Sequence, residues 1–141
     1  MEYIDQQLQQ RVWQRVQNVG ATTHPGPEGL LLEERTDEAQ FLQMGQRELA
    51  AQSRERAAVL RGICKLSGIA EGQLPPKPPM QAEIVAWRSL LGRMERRLKE
   101  YTYLTGSAEF GVLYAGLAQM LQNSCILLAK QIVCPLRNGR K

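Results

Sequence analysis

Residues 84–132, IVAWRSLLGRMERRLKEYTYLTGSAEFGVLYAGLAQMLQNSCILLAKQI, decide the fold. Ile84, Trp87, Leu91, Met94, Leu98, Tyr101 and Thr105 recur at alternating steps of three and four. Tyr114, Leu117, Leu121, Ser124, Leu128 and Ile132 do nearly the same, so each run draws one stripe along one helix. Residues 105–108 break the pattern between them. Ser107 is placed to cap the last helix, and Glu109 falls in its first turn, where an acid suits the positive end of the helix dipole. The segment reads as a helical hairpin whose inward stripes hold almost no group able to bind a metal or move a proton.

Upstream, residues 30–66 are also helical in pattern. Leu30, Leu31, Leu32, Phe41 and Leu42 lead to Leu49, Ser53, Arg56, Leu60 and Ile63, with Gly45 between. One helix of that length is unusual in a small domain, so two helices joined tightly near residues 44–47 are expected. Residues 68–79 hold two glycines and four prolines, which rules out continued helix and suits a crossover connection. At the N-terminus Ile4, Leu8, Val12, Val16 and Val19 form a narrow stripe on a Gln-rich background, ending at Gly20. Residues 21–29, with two prolines and two glycines, read as a loop. His24, the single histidine, lies in it and is expected to be exposed. Pro135 stops the last helix.

The chain has 141 residues, enough for one core. Aromatic residues are only 6% of it, against 43% hydrophobic, a balance that favours helix over sheet. No apolar run is read as reaching the roughly 18 residues that cross a bilayer, and no leader pattern marks the N-terminus. Cys64, Cys125 and Cys134 have no paired or metal-ligand spacing. A cytoplasmic protein is expected. The net charge of +4 is modest. Arg88, Arg93, Arg96, Arg97 and Lys99 read as a solvated helix face, and Arg137, Arg140 and Lys141 as a basic tail. No stacking aromatics or reader motif joins them, so nucleic acid is not the expected partner. No serine or cysteine has a histidine placed to activate it.

The second half resembles that of a ferritin-like domain of the rubrerythrin type. Leu98 and Tyr101 fall in the family's pattern, Glu109-Phe110 opens the next helix, and Leu117-Ala118 precedes the site. The first half is similar through Glu34, Asp37, Ala39 and Phe41, and through Arg56-Ala57, Leu60-Arg61 and Ile63. The resemblance implies an all-α, ferritin-like four-helix bundle over residues 30–134; the apolar spacing adds a short extra N-terminal helix over 1–20, and the residues after the last helix, 135–141, are expected to be a flexible basic tail.

It also implies a di-iron centre, held by glutamates and two Glu-x-x-His pairs. Here the corresponding positions are Glu34, Ser53, Arg56, Met94, Leu121 and Ser124. One carboxylate and no histidine cannot hold two irons, so no metal or other cofactor is expected. Arg56, turned inward, would need Glu34 or Glu95 as a partner. The implied function is a non-catalytic structural or protein-interaction module, as a homodimer or with a protein partner. The N-terminal stripe is the candidate contact surface. The alternative is an oxidoreductase or iron-handling protein with an altered site drawing on Glu34, Asp37, Glu55 and Glu95. It requires at least three of these carboxylates to converge.

Overall fold

A turn of three residues settles how the first half folds. α2 (Gly26–Gln43) and α3 (Arg47–Leu66) are separate helices. Gly45 adopts φ +76°, which a residue without Cβ reaches at little cost. The Gln46 N–H then donates to Phe41 O at 2.8 Å and the Gly45 N–H to Leu42 O at 3.1 Å. This pair of bonds consumes carbonyls that a helix end otherwise leaves bare. α3 ends the same way: Gly68 has φ +86°, and the Ile69 N–H donates to Cys64 O at 3.0 Å.

The computed structural model describes residues 2–20, 24–74, 86–107 and 109–133, apart from the side chains of residues 2–4. Among them every regular element is helical: α1 (Glu2–Asn18), α2, α3, a single 3-10 turn (Glu71–Gln73), α4 (Trp87–Leu104) and α5 (Gly111–Val133). Ile84, Cys134 and the basic tail lie outside the described residues, as do the side chain of Ile4 and residues 75–79 of the expected crossover.

α2 packs along α3 and α4 along α5, and the two hairpins meet through α3 and α5. The stripes fill the space between. Leu91, Met94, Leu98 and Tyr101 of α4 are buried, as are Tyr114, Leu117, Leu121, Ser124 and Leu128 of α5. The ends of the stripes are not: Trp87 and Ile132 are half-buried, and Thr105 is exposed.

Two boundaries differ from the sequence reading. α2 starts at Gly26, four residues before Leu30, with Pro27 in its first turn. Proline lacks only an N–H that the first turn leaves unused, so it starts a helix there instead of preventing one. α5 starts at Gly111, so Glu109 stands before the helix. Ser107 still caps the approach, its Oγ accepting the Glu109 and Phe110 N–H groups at 3.3 and 3.4 Å.

The N-terminal stripe is not a free surface. Leu8, Val12 and Val16 are 6%, 2% and 4% exposed, because α1 lies across α4 and α5. Trp13 Nε1 donates to Gln122 Oε1 at 2.7 Å, and Lys130 pairs with Asp5 at 2.5 Å. Burying each such aliphatic side chain contributes about 1.5–3 kcal/mol. The stripe looked unpartnered only because its cover lies about a hundred residues along the chain.

α5 also corrects the sequence reading of apolar length. Its 23 residues reach a mean hydropathy of 1.4 over an 18-residue window, long and apolar enough by those measures to cross a membrane. A core helix meets the same test, and α5 is in contact with α1, α3 and α4.

Candidate functional site

Where the four helices of the two hairpins face one another, the core turns polar. Glu34 sits mid-way along α2 and is fully buried. Its Oε2 accepts three hydrogen bonds: from Arg56 Nε of α3 at 2.8 Å, from Arg97 Nε of α4 at 3.1 Å, and from the Tyr101 hydroxyl at 2.8 Å. Helical spacing explains the convergence. Arg93, Arg97 and Tyr101 are four residues apart on α4, and Glu34 and Asp37 are three apart on α2, so each set shares a face.

Arg56 spends its other donors within the core. Nη1 donates to Ser124 Oγ at 2.7 Å and Nη2 to Ser53 Oγ at 3.1 Å. Ser124 Oγ in turn donates to Gln52 Oε1 at 2.5 Å. Arg97 is bound as fully. Its Nη2 donates to Asp37 Oδ2 at 2.5 Å and its Nη1 to Glu33 Oε1 at 3.3 Å. Arg93 reaches the other Asp37 oxygen, Oδ1, at 2.5 Å. The buried charges cancel: two guanidiniums against Glu34 and Asp37. Such a cluster is tolerable in a dry core only because each charge faces an opposite one.

The site sets the proton affinities of its members. Burial alone would weaken the charge on Arg97, but Glu34, then Asp37, outweigh it and hold the guanidinium charged more firmly than usual. Burial and the negative Glu34 push the Tyr101 phenol well above its ordinary range, so it remains a donor. Burial pushes the Cys125 thiol up to about 12. The remaining oxygen of the Glu34 carboxylate, Oε1, is buried without a hydrogen-bond partner among the described residues.

All six positions assigned from the resemblance are buried around this centre. Glu34, Ser53, Arg56 and Ser124 join in one network, while Met94 and Leu121 are 0% exposed within the apolar core. Arg56 selects Glu34 over Glu95. Glu95 faces the other way, towards α1, where Arg15 Nε lies 3.5 Å from its Oε2. Glu55 is exposed. The convergence of three of the four carboxylates named for an altered metal site therefore does not occur, since of Glu34, Asp37, Glu55 and Glu95 only Glu34 and Asp37 come together. Among the described residues no three His, Cys, Asp or Glu side chains gather where they could hold a metal ion. The chemistry agrees: the Glu34 oxygen that would be offered to a metal accepts from two guanidiniums, which repel a cation. These residues do not fit a di-iron centre.

Two members were not visible in the sequence: Arg93 and Arg97 read as part of a solvated face, yet Arg97 is buried, and it holds Asp37, which the sequence offered only as an acid for an altered metal site. The one available signal was the four-residue step from Arg93 through Arg97 to Tyr101. His24 is exposed as expected, but tethered. Its Nδ1 lies 2.9 Å from both oxygens of the buried Glu100, and its ring stacks on Tyr103 with centroids 4.9 Å apart.

Pro25, Leu30, Leu32, Glu33, Arg93 and Arg96 lie around an open cleft of about 520 Å³ between α2 and α4, above this network. No family model, curated protein or solved structure matches the chain.

Proposed function

We propose that this protein is a non-catalytic, ferritin-like helical module that has lost its di-iron centre and acts in the cytoplasm through a protein partner or a second copy of itself. One observation carries the reading: Arg56 and Arg97 both bind the same oxygen of Glu34, at 2.8 and 3.1 Å, where the resemblance would put bridging metal. Replacing metal by guanidinium preserves the links between helices and removes the chemistry. A buried, charge-balanced cluster of this kind fixes how helices sit without offering an open coordination site. The partner contact is not assigned to α1, whose stripe is used within the chain.

Metal content tests this. Protein produced in iron- and manganese-supplemented medium should carry close to no metal per chain. About two equivalents, the loading of a di-iron carboxylate bundle, would overturn the proposal and bring back the oxidoreductase.

A further inference from the structure

The cleft between α2 and α4 has walls of opposite charge. On the α4 wall stand Arg93 and Arg96, one helical turn apart and so neighbours on one face. Arg93 is tied inward by a single contact to Asp37, and its side chain is 31% exposed. Arg96 is exposed, and among the described residues it has no ionic partner. On the α2 wall stands Glu33, 45% exposed and held only by a 3.3 Å contact from Arg97. Asp37 is already taken by Arg93 and Arg97, and Glu100, the other acid lining the cleft, is buried against His24, so Glu33 is the acid left exposed at the opening. Pro25 and Leu32 add an apolar surface. About 520 Å³ is within the range of small-molecule sites.

We infer that this cleft binds a small zwitterion, an amino acid with an apolar side chain. Its carboxylate would lie against Arg93 and Arg96, its ammonium against Glu33, and its side chain over Leu32 and Pro25. A dianion such as a phosphate ester would meet repulsion from Glu33, and a simple amine would meet the two arginines. A dipolar ligand satisfies both walls. Burial raises the proton affinity of Glu33, with Arg97 only partly opposing, so an incoming ammonium would relieve a carboxylate short of positive partners. The site adjoins the Glu34 centre through Asp37 and Arg97 but does not use Glu34 itself, so the outcome of the metal measurement does not decide it.

Calorimetric titration and thermal shift with leucine, isocaproate and isoamylamine test the assignment. These share one isobutyl group and differ in which charged groups they carry. Leucine should bind and raise the melting temperature, with the other two weaker by roughly tenfold or more. Arg96→Ala and Glu33→Gln should each weaken leucine by a similar factor, and Arg96→Ala should leave the melting temperature without ligand in place, because its side chain is exposed and has no ionic partner among the described residues. No binding of leucine overturns the inference. Equal binding of isocaproate or isoamylamine overturns its dipolar character, and unchanged binding by both variants overturns its location.

Discussion

Arg56 Nε donates to Glu34 Oε2 across 2.8 Å, and neither residue exposes any surface to solvent. Each is the other's neutralising charge, so loss of one strands its partner. Glu34→Ala should lower stability by about 3–5 kcal/mol, because it leaves Arg56 and Arg97 short of a counter-charge. In a double-mutant cycle with Arg56→Met, the second substitution should cost far less than it does alone, with a coupling of about 1–3 kcal/mol. Urea denaturation of the four proteins measures this. Additive losses would mean that the pair does not act as a unit.

Tyr101 gives a smaller effect at the same oxygen. Tyr101→Phe keeps the ring and removes a 2.8 Å hydrogen bond to a carboxylate, which should cost about 1.5–3 kcal/mol. A change below a few tenths in chemical denaturation would show that the Glu34 carboxylate does not need the third donor.

Glu95 provides a pH dependence of known sign. Burial raises its carboxyl above the ordinary 4.5, and Arg15 opposes this in part. The folded protein therefore holds that proton more tightly than the unfolded chain. Stability contributed by this group is full below 4.5 and is lost as pH rises through the folded value. Glu95→Gln should match the parent at low pH and exceed it at neutral pH. Denaturation curves on either side of that window decide, and a variant that is less stable at neutral pH would reverse the sign.

Two glycines should respond in opposite directions to the same change. A Cβ on Gly111 would stand 2.6 Å from the Thr105 carbonyl oxygen, a backbone atom that cannot move aside cheaply. Gly111→Ala should cost about 1–3 kcal/mol. A Cβ on Gly116 meets nothing within 4 Å, and Gly116→Ala should stabilise α5 by about 0.5–1 kcal/mol. Melting temperatures that move together would contradict the packing described.

Cys125 and Cys64 are both fully buried free thiols, with the Cys125 thiol pushed up to about 12. The thiolate is the reactive form, so neither should be alkylated by iodoacetamide at neutral pH until the protein unfolds. Mass spectrometry of peptides from folded and urea-treated protein reads this directly.

The apolar positions were the legible part of the fold. Steps of three and four located α4 and α5, and Gly45 located the break between α2 and α3, because apolar periodicity and backbone freedom are local properties. Arg56 was legible too, since a charge on an apolar stripe demands a partner. Arg97 was not, nor was the pairing of Asp37 with it. Each residue lies among other charged residues, and only the approach of α2 to α4 turns them inward. The cover over α1 and the tether between His24 and Glu100 also join distant segments, and no local pattern contains them. The start of α2 was lost for another reason: Pro27 stops a helix from within but begins one at its end.

The three donors on Glu34 Oε2 also bear on how the hairpins are seated. A core lined largely with leucine and other aliphatic side chains accepts more than one stagger of its helices, because one apolar contact replaces another at similar energy. Sliding α4 by a single turn moves its side chains by about 5.4 Å along the axis. That slip would carry Arg97 and Tyr101 off Glu34 and leave unmatched charges in a dry interior. The carboxylate thus works as a key with one fitting position, and it gives α2, α3 and α4 a common register that the aliphatic contacts alone would leave degenerate.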